Sequence, residues 1–213
     1  MTEPKGRFEN YLESLHPEDL PRLMHKFEHY HMLLSSANRQ VNLVSRSIPA
    51  ERFWIQHFLD SLLILECLDF ADKTLLDFGS GGGLPGIPIK LVVPSCSLTM
   101  LDSVQKKTRI LQEFVEALAL GKTMVETSRL EDYAFVARRP SFDFVVCRAV
   151  ALEERYVAPL RRLLKPSGMA VFYKAQKLDD LESLKHEVLW ETNDPDLGQR
   201  CFIGIRHRDL MMR

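Results

Sequence analysis

The chain has 213 residues, a length that suits one domain with a sizeable core. Hydrophobic residues make up 46% and charged residues 27%, as in an ordinary soluble globular protein, and no apolar run approaches the roughly 20 residues of a membrane-spanning helix. The formal net charge of -1 excludes a global electrostatic argument for nucleic-acid binding, so such binding needs a local basic face. Residues 1–5 lack the apolar core of a signal peptide, and we therefore expect a cytoplasmic location.

Helical spacing dominates the first part of the chain. Apolar residues recur mostly three and four positions apart over residues 8–34, and Pro17 and Pro21 predict a break into two short helices. A polar connection follows, and a further helix is predicted over residues 51–68. We therefore expect residues 1–70 to form a helical N-terminal extension that packs on the rest of the chain.

After Lys73, short apolar runs alternate with amphipathic stretches. The predicted strands are 74–78, 97–101, 123–126, 142–147, 169–173, 188–191 and 201–206. The predicted helices are 85–93, 104–120, 130–137, 153–164 and 178–186. This alternation predicts a mostly parallel sheet with helices on both faces, because parallel strands need crossover connections and are buried on both sides. Residues 71–213 are accordingly predicted to form one compact, doubly wound α/β unit.

A glycine-rich loop follows the first predicted strand, from Gly79 through Gly86. A ligand that lies against a strand end requires a backbone without side chains, and glycine also supplies the positive φ angles of a tight turn. Gly79 and Gly81 are therefore candidates for contact with a cofactor. Pro85 is well placed to begin a helix after the loop. A plain tight turn is the alternative interpretation.

Three details distinguish between the possible ligands of this loop. No Lys-Ser or Lys-Thr follows the last glycine, which argues against a nucleoside triphosphate loop. Leu84 and Pro85 stand where a dinucleotide fold wants a small residue, which weakens the nicotinamide or flavin interpretation. Asp77, two residues before Gly79, can take the amino group of an amino acid, directly or through water. A cofactor derived from methionine has that group, and dinucleotides lack it.

An acidic residue also ends the second predicted strand. The Asp102 carboxylate can accept hydrogen bonds from both hydroxyls of a ribose, a role that acidic residues play in dinucleotide folds as well. It therefore supports a ligand of the adenosine type without choosing among such ligands. The alternative is that Asp102 only caps the helix predicted to begin at Val104.

The motifs continue in order along residues 40–175. They lie at 42–43, 57–62, 77–88, 101–103, 106–107, 129–131, 147–149 and 163–168. In these stretches the chain resembles the bacterial small-subunit ribosomal RNA methyltransferase G family, also called GidB, which is similar to the seven-stranded class I, Rossmann-like methyltransferases. The Gly-Leu-Pro-Gly-Ile-Pro of residues 83–88 and the Arg-Ala at Arg148 are the specific parts. Gly82 and Leu84 depart from residues that many members carry.

The resemblance implies a function and a set of site residues. It implies transfer of a methyl group from S-adenosylmethionine to N7 of one guanine in the decoding-region stem-loop of 16S rRNA. It places Gly79 and Leu84 along the methionine and ribose of the cofactor. Leu130 and Glu131 then lie beside the adenine, and Arg148 closes the site. The implied partner is 16S rRNA or the 30S ribosomal subunit.

The chemistry of a guanine nitrogen agrees with the residues that are present. N7 has a free lone pair, so its methylation requires no general base, and we name no catalytic acid or base. Arg148 can orient guanine O6 or a phosphate, or it can only pair with Asp77 or Glu131. Glu131 can instead cap a helix. His57 and Asp60 share one face of a predicted helix, where they either contact RNA or only pack.

Basic residues are scattered along the sequence. They are Arg46, Arg52, Lys106, Lys107, Arg109, Arg138, Arg139, Arg161, Arg162, Lys165, Lys174, Lys177, Arg206 and Arg208. Singly, most are solvated surface charges. Gathered at the mouth of the site, Arg46, Lys106, Lys165 and Lys174 would form a rim that contacts phosphates.

The remaining expectations concern metals, partners and rival functions. The four cysteines are too widely spaced for a zinc ribbon or a redox dithiol, so we expect buried reduced thiols and no metal. Nothing indicates a membrane partner or an obligate oligomer, and a monomer is expected. A methyltransferase acting on another RNA, a small molecule or a protein is the alternative, as is a cofactor-binding protein without catalysis.

Overall fold

The computed structural model describes residues 3–175 and 184–211. Within these ranges no helix combines the length and the hydropathy that a membrane span requires. No disulfide joins any two of the four cysteines, all of which lie in the described part of the chain; three are buried and Cys67 is half-buried. The expectation of reduced thiols is thus confirmed, and the burial is complete for all but Cys67.

Two helices form the beginning of the chain. Helix α1 (Pro4–Leu15) and helix α2 (Leu20–Asn38) are separated by one 3-10 turn at Pro17–Asp19. The predicted break is confirmed, because Pro17 begins the turn and Pro21 lies in the first turn of α2, where a missing N–H costs no helical hydrogen bond. Helix α2 is longer than the short helix that was predicted.

The segment predicted as one helix over residues 51–68 is a succession of irregular helical turns. It runs as a 3-10 turn (Ala50–Arg52), a π-helical turn (Trp54–Leu59), the α-helical turn α3 (Asp60–Leu62) and a 3-10 turn (Leu63–Glu66). The prediction of a regular helix is therefore wrong. All residues from Phe53 to Ile64 except Gln56 are buried, so packing on several sides decides the backbone geometry in place of helix propensity.

Seven strands form a single sheet. They are β1 (Thr74–Phe78), β2 (Ser97–Asp102), β3 (Thr123–Thr127), β4 (Phe142–Arg148), β5 (Leu164–Lys174), β6 (Glu187–Asp194) and β7 (Gly198–Arg206). Their order is β3-β2-β1-β4-β5-β7-β6, with β7 antiparallel to β5 and to β6 and the other neighbours parallel. The predicted seven-stranded, mostly parallel sheet is confirmed. The chain order reverses between β1 and β4, the point at which open α/β sheets bind ligands.

Helices cover both faces of the sheet. They are α4 (Gly86–Val92), α5 (Gln105–Ala117), α6 (Leu130–Val136) and α7 (Glu154–Leu163). Neighbouring residues of β1 point to opposite faces, so Leu75 joins the core beneath α4 and α5, whereas Leu76 joins the core beneath α6 and α7. The predicted covering of both faces is thereby confirmed.

The N-terminal helices lie on the α5 side of the sheet. The Tyr30 ring stacks on Phe58 with centroids 5.3 Å apart and meets the Phe114 ring of α5 edge-on at 5.8 Å. The Tyr30 hydroxyl donates a hydrogen bond of 2.7 Å to the carbonyl of Gly82 in the glycine loop. The core is continuous across residue 70, and the division into 1–70 and 71–213 stays a prediction.

The end of the chain adds the antiparallel hairpin β6–β7. The predicted strands at 188–191 and 201–206 are confirmed, and both are longer than predicted. The helix predicted over 178–186 lies outside the described residues up to residue 183, and residues 184–186 are not helical. Strand β7 pairs with β5, so the hairpin forms one edge of the sheet, with β6 outermost.

Candidate functional site

A cleft of about 760 Å³ lies at the carboxyl ends of the strands. It opens where β1, β2 and β4 end, and its size falls in the range of about 300–1,000 Å³ that small-molecule sites occupy. The predicted site residues that line it are Gly79, Gly81, Leu84, Asp102, Leu130, Glu131 and Arg148. The structure therefore brings seven of the eight predicted residues to one cleft, and Asp77 is the exception.

The glycine loop forms the floor of the cleft. Gly79, Gly81 and Gly83 all have positive φ, of 75°, 56° and 91°. At Gly83 an added Cβ would lie 2.4 Å from Cδ1 of Ile87 at a φ that L side chains rarely adopt, so a larger residue would be strained there. The loop returns to the sheet through a hydrogen bond from the Gly79 N–H to the carbonyl of Leu101 at 2.8 Å.

Asp77 lies beneath this loop and is fully buried. Its Oδ2 accepts a hydrogen bond of 3.0 Å from the Gly86 N–H at the start of α4, and its Oδ1 has no hydrogen-bond partner among the described residues. Burial raises the pKa of this carboxyl to about 7, although the Gly86 N–H and the charge of Arg148 oppose the shift. Contact between Asp77 and an amino group stays a prediction.

Asp102 joins the glycine loop to helix α5. Its Oδ2 accepts a hydrogen bond of 3.0 Å from the Gly81 N–H, and its Oδ1 accepts one of 2.9 Å from the Val104 N–H. The Lys107 ammonium lies 4.0 Å from Oδ2. Val104 is the N-cap residue of α5, and no side-chain hydrogen bond caps the helix, so the interpretation of Asp102 as only a helix cap is wrong. The Asp102 carboxylate lines the cleft.

The start of α6 forms one wall of the cleft. Leu130 is buried there, and Glu131 lies 3.6 Å from the guanidinium of Arg155. That guanidinium also lies over the ring of Tyr156, at 4.7 Å from its centroid. Arg155 and Tyr156 both line the cleft and were not among the predicted residues.

Arg148 ends strand β4 and pairs with a carboxylate that was not expected. Its Nη1 lies 3.1 Å from Oδ2 of Asp60, whereas Asp77 and Glu131 were the expected partners. The other oxygen of Asp60 accepts a hydrogen bond of 2.8 Å from Nε of Arg200 on β7. Arg148 pairs with Asp60 because the segment 54–62 packs over the strand ends and places the Asp60 carboxylate between Arg148 and Arg200.

His57 lies beside this ion pair and lines the cleft. It is 4% exposed, and neither ring nitrogen has a hydrogen-bond partner among the described residues. Burial, with the charge of Arg148 as the second cause, lowers the pKa of His57 to about 3, so the ring is neutral near pH 7. His57 and Asp60 were predicted to share one face of a helix. Both line the cleft, although the turn that contains His57 is π-helical.

None of the four residues expected to form a basic rim (Arg46, Lys106, Lys165 and Lys174) is among the residues that line the cleft. Lys165 begins strand β5 and pairs with Asp143 at 2.7 Å, so it lies at the amino edge of the parallel strands, away from the cleft. Lys174 ends the same strand on the cleft side, and Lys107 lines the cleft itself. Arg46 donates a hydrogen bond of 2.8 Å to the carbonyl of Asn38. Lys165 is therefore a wrong member of the proposed rim.

Sequence comparison decides the family. The family model described as rRNA small subunit methyltransferase G matches residues 23–203 of the chain. The chain belongs to this family. A relative with the same name from Prochlorococcus marinus is 38% identical over 177 residues, which cover 81% of this chain and 68% of the relative. Another, from Syntrophus aciditrophicus, is 31% identical over 169 residues, which cover 77% and 70%.

Solved structures support the fold of this methyltransferase G family member. A structure described as a SAM-dependent methyltransferase from Aquifex aeolicus has a TM-score of 0.57, with 17% identity over 81% of this chain and 98% of the other. A mutant of the protein MtNAS in complex with S-adenosylmethionine also has a TM-score of 0.57, with 12% identity over 95% and 96%. At such identities the likeness concerns the fold alone.

Three site residues escaped the sequence analysis. Arg155 and Tyr156 follow β4 at the start of α7, and helix starts after parallel strands are places where binding residues gather. The position of these two residues at a helix start was visible in the sequence. No feature of the sequence pointed to Arg200, because it reaches the site only through the antiparallel pairing of β7 with β5.

Proposed function

We propose that the chain is an S-adenosylmethionine-dependent methyltransferase that modifies N7 of a guanine in the decoding-region stem-loop of 16S rRNA. The observation that carries the proposal is the gathering of the glycine loop, Asp102 and the start of α6 around one cleft. Membership of the rRNA small subunit methyltransferase G family supports a small-subunit rRNA as the acceptor. The guanine N7 and its stem-loop rest on the resemblance of the sequence motifs.

The residues that are present fit the proposed cofactor. A ribose with two free hydroxyls needs an acceptor at the end of β2, and each oxygen of Asp102 retains a lone pair beyond the one that it uses. The unpartnered Oδ1 of buried Asp77 is an acceptor for which an ammonium group, directly or through water, would be the complement. Gly79 and Gly81 would hold the methionine portion against bare backbone.

Other residues of the cleft would suit a purine ring. Leu101, Val104 and Leu130 line the cleft and would supply apolar surface to the ring, and Glu131 would supply an acceptor for an exocyclic amino group. Leu84 lines the same cleft. The lining thus includes candidate contacts for each part of the cofactor.

The bound cofactor supplies an electrophilic methyl group on a positively charged sulfur. Guanine N7 attacks with a free lone pair, so the protein removes no proton before transfer, and its task is alignment and water exclusion. His57 lines the cleft and is neutral near pH 7, so its ring adds no positive charge there. Arg148 has five N–H donors, more than its contact with Asp60 uses, and the planar fork suits O6 and N7 of guanine.

The proposal is tested by two measurements on the full chain. Equilibrium binding of S-adenosylmethionine is measured first by calorimetry, and tritium transfer to unmethylated 30S subunits or deproteinised 16S rRNA follows. We expect saturable binding and transfer to the rRNA. Binding without transfer to rRNA would favour another acceptor or a protein that only binds the cofactor. Absence of binding would contradict the proposal as a whole.

A further inference from the structure

Helix α6 ends in apolar side chains that face water. Phe135 is 79% exposed and Val136 is 71% exposed, and no large apolar side chain in the described part of the chain is more exposed than Phe135. Both residues lie at the end of α6 opposite Leu130 and Glu131, about 6–9 Å along the helix axis from those cleft residues. They are therefore separate from the site described above.

Four arginines lie near these two residues in the fold, and one of them, Arg162, contacts the backbone at the end of α6. Arg138 and Arg139 follow α6 directly, whereas Arg161 and Arg162 lie in the last turn of α7. The Arg162 guanidinium donates hydrogen bonds of 3.2 and 3.1 Å to the carbonyls of Phe135 and Ala137. The two arginine pairs consequently flank one surface.

A second contact fixes the linker to α7. The Ser141 N–H donates a hydrogen bond of 2.9 Å to the carbonyl of Leu163, so the linker runs alongside the end of that helix. The Ser141 hydroxyl in turn donates a hydrogen bond of 3.0 Å to the carbonyl of Arg139. The side chains of both arginine pairs are exposed.

The charge of this surface differs from that of the whole chain. The formal net charge of the protein is -1, but residues 133–142 contain no acidic residue. Arg138, Arg139 and Arg161 form no ion pair with the carboxylates that the structure describes. The nearest acids along the chain are exposed Asp132, one turn earlier on α6, and Asp143, which already pairs with Lys165. The surface is thus a local concentration of positive charge.

We infer that this arginine–phenylalanine surface binds an unpaired segment of the RNA substrate. Its members are Phe135, Val136, Arg138, Arg139, Arg161 and Arg162. Guanidinium groups neutralise phosphates, and an exposed aromatic ring offers a face on which a base stacks regardless of sequence. The inference rests on the proposed RNA acceptor and adds a contact outside the cleft, which holds the RNA while the target guanine reacts.

The composition of the surface favours RNA over a protein partner. Two apolar side chains give a small hydrophobic contact, whereas protein interfaces of ordinary stability bury a large patch with an apolar centre. Four arginines around one ring instead match the alternation of phosphates and bases along a single strand. Association between copies of the chain is the competing outcome, and the experiment below separates it.

The test uses the full chain with two probes, a fluorescein-labelled single-stranded oligoribonucleotide and transcribed 16S rRNA. Phe135→Ala should weaken binding of both by about tenfold, because the base loses its stacking partner. The pair Arg138→Ala/Arg139→Ala should lower the slope of log affinity against log salt by about 1.4, which corresponds to two phosphate contacts. Met32→Ala removes another exposed apolar side chain, which is 64% exposed, and should change neither quantity.

Affinity for S-adenosylmethionine separates this inference from the proposed function. All variants should bind the cofactor as the wild type does, because the surface lies outside the cleft. If the wild type binds both the cofactor and 16S rRNA and the variants bind RNA equally well, the inference is overturned and the proposed function stands. If Phe135→Ala alters only the sedimentation coefficient, the surface joins copies of the chain and the inference is overturned. If the wild type binds no RNA, both fail.

Discussion

The carboxylate of Asp60 lies between two guanidinium groups, 3.1 Å from Nη1 of Arg148 and 2.8 Å from Nε of Arg200. Asp60 belongs to the N-terminal part of the chain, Arg148 ends a central parallel strand, and Arg200 belongs to the last hairpin. Three separate parts of the sequence therefore meet at the cleft through one side chain.

Replacement of Asp60 should destabilise the fold. Asp60→Ala leaves two partly buried arginines without their shared counter-charge. Breaking a buried ion pair costs about 3–5 kcal/mol, and since the Arg200 side chain is 27% exposed, water reduces the cost here to about 2 kcal/mol. Urea denaturation gives the free energy of unfolding. The control Asp19→Ala breaks an exposed pair and should change it little; an equal loss in both variants would contradict this role of Asp60.

Removal of the Arg148 guanidinium should impair methyl transfer more than cofactor binding. Arg148→Ala takes away the donors proposed for guanine, and one lost hydrogen bond to a charged group corresponds to about tenfold or more in rate. Arg200→Ala is the matched control, because it removes the other guanidinium from Asp60. Tritium transfer at saturating cofactor measures the rate. If Arg148→Ala leaves binding and transfer intact, Arg148 has no direct part in the site.

The free energy of unfolding should depend on pH through two buried groups, Asp77 and His57, whose effects have opposite signs. Asp77 has its pKa raised to about 7, so the stability that it contributes is present at low pH and is lost as pH rises to about 7. His57 has its pKa lowered to about 3, so its contribution is present above the unfolded pKa near 6.5 and is lost as pH falls. The two effects oppose each other in mildly acidic solution.

Single variants should separate these two contributions. From about pH 4 to pH 7.5, folded Asp77 holds more of its proton than the unfolded chain does. The free energy of unfolding should therefore fall less, or rise more, with increasing pH in Asp77→Asn than in the wild type. Between about pH 4 and 6, His57→Gln should lose less stability on acidification than the wild type. Urea denaturation across this range measures both. Parallel curves for the wild type and Asp77→Asn would mean that Asp77 is ionised in the fold.

The glycine loop should tolerate no side chain at Gly83. Gly83→Ala forces a Cβ to within 2.4 Å of Ile87 at a φ of +91°, and such overpacking with backbone strain costs about 1–3 kcal/mol. Gly121→Ala is the control, because its Cβ would meet nothing within 4 Å. The melting temperature and cofactor affinity should both fall for the first variant alone. Similar values for the two variants would refute the packing described here.

The Asp102 carboxylate should be needed for cofactor affinity. Asp102→Asn weakens the contacts to Gly81 and to the proposed ribose, and hydrogen bonds to charged groups contribute about 1.5–3 kcal/mol, so affinity should fall by about tenfold or more. Glu113→Gln makes the same chemical change on the exposed face of α5 and should bind normally. Calorimetry with S-adenosylmethionine gives both values, and an unchanged affinity for Asp102→Asn would exclude the ribose contact.

Local patterns made the sheet predictable from the sequence. Strand β1 was predicted with its observed bounds, because its short apolar run ends at the glycine loop. The loop itself was recognisable because only glycine takes the positive φ angles at Gly79, Gly81 and Gly83 without strain. Its neighbours Asp102 and Leu130 follow other strands of the same parallel sheet, so strand direction alone brings them together.

Contacts between distant parts of the chain were not predictable. The pairing of Arg148 with Asp60 depends on how an irregular segment packs over the strand ends. The sequence around either residue gives no indication of this packing. Arg200 arrives through an antiparallel hairpin at the other end of the chain. The placement of Lys165 at the mouth of the site could have been avoided from the sequence. A residue at the start of a parallel strand lies at the edge of the sheet opposite the cleft.

The central claim is that this cleft delivers a methyl group to N7 of one guanine in 16S rRNA. The most direct measurement is chemical cleavage mapping of N7-methylguanosine in 16S rRNA from cells with and without this protein, followed by treatment of the unmodified rRNA with purified protein and S-adenosylmethionine. The account predicts one cleavage in the decoding-region stem-loop that disappears without the protein and returns after treatment. The same cleavage pattern in both rRNAs, with no methyl transfer in vitro, would contradict it.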